Sequence, residues 1–220
     1  MDWTAVIDGY CERLGPGVWA EPLNAATNAA FLIAAAAAWR MSAGVPVARA
    51  LTAILGGIGV GSFLFHTFAT RWAAVADVLP IAVFILTYVW AANRHLLRLS
   101  PRAAAGATVA YLPVHAALSV PLSSVPVLGV SAGYLPVPMV ILGYAAVLRR
   151  RAPETARGMA VGAAMLILSV LLRSLDAALC PSWPFGTHFL WHLLNGLMLW
   201  WMIRVLVRHE GRHLRADPGS

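Results

Sequence analysis

The chain has 220 residues, 60% of them apolar and 11% charged, with a formal net charge of +7 and a mean hydropathy of +0.73. Apolarity on this scale, delivered in long blocks, excludes an ordinary soluble domain and points to a multi-spanning membrane protein. All sixteen basic residues are arginines in short groups between the apolar blocks, a pattern that sets membrane topology and gives no reason to expect a nucleic-acid partner.

Residues 1–21 are polar and rich in turn formers, and read as an ordered extramembrane loop. Asp2, Asp8 and Glu12 precede any apolar run, with no basic stretch before it. The first helix is therefore expected to do the targeting. Seven spans follow, at 24–41, 48–68, 75–93, 103–122, 126–148, 157–178 and 187–207, each near the twenty residues that a bilayer core demands. The fourth is interrupted by Pro113, His115 and Pro121. Pro80 is expected within the first turns of the third, where a missing N–H is tolerated. Residues 208–220 form a basic tail, and the sequence offers no soluble domain, long linker or internal repeat. The expected fold is all-α: a single seven-transmembrane-helix bundle over residues 1–220.

Arginine placement fixes the orientation. The connections after spans 1, 3 and 5 hold Arg40 and Arg49, then Arg94, Arg98 and Arg102, then Arg149, Arg150, Arg151 and Arg157, whereas those after spans 2, 4 and 6 hold only Arg71. The positive-inside rule puts the N-terminus outside or lumenal and the C-terminus in the cytoplasm. Trp19, Trp72 and Trp183 then lie near one interface, and Trp39, Trp90, Trp200 and Trp201 near the other.

With this topology the polar residues of four spans meet at one level. Span 2 ends outward with Ser62 and His66, span 3 starts there with Asp77, span 6 ends there with Arg173, Ser174 and Asp176, and span 7 starts there with His188 and His192. His188 and His192 are four apart, as are Ser62 and His66, so each pair shares a helix face. Charged groups at such depth are costly and are usually retained for a role. Three imidazoles are the number of protein ligands that a catalytic zinc takes while keeping a fourth position for water. Asp77 then serves as a general base, or alternatively as a carboxylate that fixes a histidine tautomer. Ser62 donates to a developing oxyanion, or alternatively bonds back to its own helix. Gly57 and Gly61 let a neighbouring backbone approach that face.

Other residues carry less. His209 and His213 repeat the spacing, but lie among Arg208, Arg212 and Arg215 at the basic end. His115 sits in mid-helix with no evident partner, and Arg173 and Asp176 are spaced to pair with each other. Cys11 and Cys180, the two cysteines, both map to the outer side. A disulfide between them is expected if that compartment is oxidising, and the sequence leaves this open.

Gly61-Ser62-x-x-x-His66, Asp77-Val78-Leu79-Pro80 and His188-x-x-x-His192, in that order and spacing, resemble the alkaline ceramidase family. That family belongs to a superfamily of seven-helix hydrolases that includes the progestin and adiponectin receptors. Tyr10-Cys11-Glu12, Ala20-Glu21-Pro22-Leu23-Asn24 with Asn28, and Leu175-Asp176 with Cys180 extend the similarity to nearly the whole chain. The resemblance implies a zinc on His66, His188 and His192, and hydrolysis of the amide of ceramide-like membrane lipids to a sphingoid base and a fatty acid. It also implies a calcium site in the N-terminal loop, where Asp8, Glu12 and Glu21 would supply oxygens and Tyr10 a carbonyl. The loop departs from the family pattern at Gly9 and Leu14, and its acidic residues are alternatively caps for the first helix.

Three other classes compete with a lipid amidase. The first is a seven-helix receptor or sensor with a structural zinc, for which Ser62 and Asp77 beside the ligands would be superfluous. The second is a proton-coupled transporter, which needs a polar path, whereas the inner halves of spans 2, 3, 6 and 7 hold little beyond Thr52, Thr87 and Tyr88. The third is a bis-histidine haem protein, which a colourless sample would exclude. Acyl-chain preference and oligomeric state are not legible.

Overall fold

The computed structural model describes residues 2–216, with side chains through Arg212. The described residues form α-helices α1 (Pro22–Thr27), α2 (Ala29–Met41), α3 (Pro46–Phe68), α4 (Arg71–Ala91), α5 (Pro101–Leu122), α6 (Pro136–Leu148), α7 (Pro153–Leu179) and α8 (His188–Ala216). Only Asn28 separates α1 from α2, and its backbone is itself helical (φ −63°, ψ −18°). The two count as one interrupted helix, so seven helical units result. Among the described residues there is no strand beyond an isolated bridge between Val6 and Thr70, which lays the N-terminal segment along the α3–α4 connection.

Prolines mark the starts. Pro22, Pro46, Pro101, Pro136 and Pro153 each sit in the first helical positions, where the absent N–H would have had no helical acceptor and the fixed φ suits the helix. Among the described residues, five helices are long and apolar enough to cross a membrane: Pro46–Phe68, Arg71–Leu96, Pro101–Leu122, Pro153–Leu179 and His188–Arg212. The core lies between α2, α3, α7 and α8, where Leu51, Leu55, Ile58, Met159, Val170, Ile203 and Leu206 are fully buried. Gly196 of α8 rests on the backbone of α2, where an added Cβ would come within 3.1 Å of the Ala30 carbonyl. Small residues at such crossings suit a bundle whose helices gain cohesion from close packing.

Two expectations are corrected. The apolar run 126–148 is not one span: residues up to 135 form turns and a 3-10 stretch at Leu128–Ser131, and α6 starts only at Pro136. Pro126 and Pro136 remove N–H donors, Val127 has φ +65°, and Gly129 folds so tightly that a Cβ would meet the Ser123 carbonyl. Irregular backbone of this kind needs partners for its carbonyls, and Arg173 supplies one, Nη1 donating to Val130 O at 2.8 Å. The second correction is Pro80, which lies inside α4 because that helix starts four residues earlier than expected, at Arg71.

The position of Pro80 has a structural use. Residue 80 would ordinarily donate its N–H to the carbonyl of Ala76, and proline cannot. Gly61 of α3 faces that carbonyl, and an added Cβ would collide with it. Glycine therefore lets α3 close over the bare carbonyl and brings Ser62 next to Asp77, the residues that follow on each helix. Gly57 meets only the Pro80 Cβ, at 4.0 Å, so the close approach belongs to Gly61. The Gly61→Ala substitution is expected to force α3 from α4 and to cost ~1–3 kcal/mol of stability, read as a lower thermal midpoint of the detergent-purified protein. An unchanged midpoint would mean that the two helices part without cost.

Candidate metal centre

His66 leaves α3 in its last turn, and His188 and His192 leave the first two turns of α8. The three side chains are buried, and one nitrogen or more from each falls within 4.8 Å of the others. Their ring centroids form a near-equilateral triangle, with separations of 5.0, 4.7 and 4.7 Å. His66 Nε2, His192 Nε2 and His188 Nδ1 are buried without any hydrogen-bond partner. Buried polar atoms are rarely left bare, and three buried imidazoles, each with a ligand nitrogen within 4.8 Å of the others, are a donor set that fits a zinc ion with its fourth position open.

The opposite nitrogens of two rings are occupied, which fixes their tautomers. His66 Nδ1 donates to Glu21 Oε2 at 2.5 Å, so its Nε2 keeps a free lone pair. Thr27 gives its hydroxyl proton to Leu23 O at 2.8 Å and therefore accepts from His192 Nδ1 at 2.9 Å. His192 Nε2 is left bare in the same way. Such partners orient a ligand and raise its basicity. The carboxylate that holds a histidine is thus Glu21, not Asp77. His188 is positioned by its ring, stacked on Tyr10 with centroids 3.7 Å apart, and by its backbone.

That backbone position depends on Asp176. One carboxylate oxygen accepts from Thr187 N at 2.7 Å and His188 N at 2.9 Å, capping α8, while the other accepts from Cys11 N at 2.9 Å. Gly186, at φ +64°, leaves room for this carboxylate, which an added Cβ would strike. Asp176 is therefore not paired with Arg173. Its three backbone donors satisfy it, and Arg173 instead reaches Val130 O, Ser131 Oγ at 2.9 Å and the Tyr10 hydroxyl at 3.4 Å. Cys11 and Cys180 are joined by a disulfide with Cα atoms 5.4 Å apart, tying the N-terminal loop to the end of α7.

Ser62, one turn from His66 on α3, lines a cavity of about 880 Å³ including its open mouth, with Asp77 at the same end and Tyr88 and Met202 at the other. Asp77 and Tyr88 are eleven residues apart on α4, so the cavity runs ~16 Å along the helix axis at 1.5 Å per residue. Its wall is mostly aliphatic and aromatic, with Asn195, one turn beyond His192 on α8, as a buried polar exception. Among the described residues no back-bond from Ser62 to its own helix is seen, and Ser62 and Asp77 line the same end of the cavity.

The four loop residues associated with calcium are spread over different tasks. Asp8 is exposed. The Tyr10 ring packs against both His66 and His188, and burial pushes its phenol above the ordinary range. Glu12 accepts from Leu23 N at 2.6 Å and Asn24 N at 2.8 Å, capping α1. Glu21 holds His66, Arg13 and Asn24 Nδ2. Burial opposes its charge, but the contacts with His66 and Arg13 outweigh this and hold its carboxyl below the usual range.

The remaining histidines stand apart from the centre. His115 does have a partner, the Gly133 carbonyl, at 2.9 Å from Nε2. His209 Nδ1 lies 2.9 Å from Thr155 Oγ1, and the His213 side chain is outside the described residues. Thr27, Asn195 and the helix-capping role of Asp176 were not found by sequence reasoning. For Asp176 the signal was its place two residues from the end of a span, which fits a cap as well as an ion pair.

The family model that matches this chain is described as ceramidase, and it covers residues 9–215. No curated protein matches the chain significantly.

Proposed function

The chain belongs to the ceramidase family, and we propose that it is a zinc-dependent amide hydrolase that cleaves ceramide-like membrane lipids into a sphingoid base and a fatty acid. What supports this most directly is the cluster of three buried imidazoles, with ligand nitrogens within 4.8 Å of one another, close to Ser62 and Asp77, which line a long apolar cavity. His66, His188 and His192 would hold the ion. Bound there, zinc would supply a Lewis acid and lower the pKa of a water molecule to about 7.

The chain's own groups then have distinct tasks. Asp77 takes the proton of the attacking water and returns it to the leaving amine. The Ser62 hydroxyl donates to the amide oxygen as that oxygen gains charge. The cavity takes a hydrocarbon chain of the substrate, so the amide is held near the histidines with bulk water excluded. In this reading seven spans cross the bilayer, the N-terminal loop and the site face the outer or lumenal side, and the disulfide belongs to that compartment.

Metal analysis of the detergent-purified chain, together with turnover of an N-acyl sphingoid base, tests the proposal. Close to one zinc per chain and release of fatty acid are expected. A chain without zinc sinks the reading, and a zinc-bound chain that cleaves no lipid amide favours a receptor or sensor with a structural ion.

A further inference from the structure

Arg13 is buried in the N-terminal loop next to the metal centre. Its Nε donates to Glu21 Oε1 at 2.6 Å, while the other oxygen of Glu21 accepts from His66 Nδ1 at 2.5 Å. Its Nη1 reaches the carbonyls of Gly15 at 3.2 Å and Gly17 at 3.5 Å. A single guanidinium thus ties the 15–17 turn to the carboxylate that orients a metal ligand. Planar and permanently charged, it is suited to several fixed acceptors at once.

Calcium, which the family resemblance implies for this loop, does not fit the donors present. It takes six to eight oxygens. Both carboxylate oxygens of Glu12 are committed to the N-terminus of α1, and both of Glu21 to Arg13, His66 and Asn24. The Gly15 and Gly17 carbonyls already face the guanidinium, Asp8 is exposed, and Leu14, 93% exposed, offers no side-chain oxygen. A divalent ion would also have to settle beside a fixed positive charge.

We propose that Arg13 is a built-in cation standing where the family would use calcium, and that it is a positioning residue for the metal centre. Arg13 holds Glu21, Glu21 holds His66 Nδ1, and His66 Nε2 is thereby aimed at the zinc without help from calcium. The positioning half rests on the zinc reading above; the calcium half does not.

Two measurements on the full-length, detergent-purified protein test this. The thermal midpoint of the wild type is expected to stay constant as calcium is raised through the millimolar range typical of weak extracellular sites, and a saturable rise would overturn the first half. The Arg13→Met substitution is expected to weaken zinc binding by about 10–100-fold, the usual effect of losing a group that supports a ligand. Arg13→Lys should recover part of that loss, since an ammonium can pair with Glu21 but cannot also span both carbonyls. A merely structural Arg13 would lower the midpoints of zinc-free and zinc-loaded protein equally and leave zinc affinity unchanged, which would overturn the second half. If Arg13→Met does not fold, the zinc affinity of Arg13→Lys decides, and an unchanged value overturns the positioning role. Neither measurement reads turnover, so failure of the hydrolase reading is seen separately. A wild type without zinc would remove the positioning half and leave the calcium result standing.

Discussion

The His192→Ala substitution is expected to remove stoichiometric zinc and to lower lipid amide turnover by on the order of 10³-fold, because the ion supplies several kcal/mol of charge stabilisation and each 1.36 kcal/mol is a factor of ten. His192 is completely buried, its Nε2 has no partner in the protein, and its Nδ1 is held by Thr27. The substitution therefore removes a ligand already oriented for its task. Thr27→Val should act in the same direction but less, by about 10–100-fold in zinc affinity, since the imidazole survives without its orienting acceptor. His209→Ala is the control, because that imidazole is also buried on the same helix yet contacts Thr155, away from the triad. Metal content and turnover of the three variants should separate cleanly. Retention of zinc by His192→Ala, or its loss in His209→Ala, would break the assignment.

The triad was legible because its signals are periodic or topological. His188 and His192 share a face by helical spacing alone, and alternation of arginine-rich connections was enough to bring His66, Ser62 and Asp77 to their level. The structure brings the three imidazoles together. What supports them was not legible, because those contacts join residues 45, 165 and 12 positions apart: Glu21 with His66, Thr27 with His192, and Asp176 with the His188 backbone. Helical periodicity carries no information across such separations, and the N-terminal loop has no period at all. Glu21 illustrates the difficulty. Its acidity reads as a calcium-ligand feature, yet its partners are an imidazole and a guanidinium. Arg173 and Asp176 show the converse, since residues on one helix face need not meet when backbone donors elsewhere satisfy the carboxylate. The apolar run at 126–135 was misread as span because hydropathy records burial in lipid or protein alike, whereas its prolines and its grip by Arg173 decide the conformation.

The Asp77→Asn substitution is expected to lower kcat by about 10²–10⁴-fold, the usual contribution of a positioned acid or base, while zinc content and KM stay near wild type. Asparagine matches the shape of the carboxylate and keeps an acceptor oxygen toward Ser62, so the close approach of α3 and α4 at Gly61 and Ala76 should survive. What it lacks is the capacity to take a proton from water and pass it to the amine. Asp77 makes no hydrogen bond to His66, whose Nδ1 is committed to Glu21, so loss of rate with zinc retained would separate proton transfer from ligand support. Ser62→Ala extends the test. If the hydroxyl serves the substrate oxygen directly, its loss costs about 10²–10³-fold in kcat, and that cost persists in the Asp77→Asn background. If Ser62 acts only by orienting Asp77, the second substitution adds nothing to the first. Full activity of Asp77→Asn would leave the carboxylate as a packing partner of Ser62 and return the proton transfers to solvent.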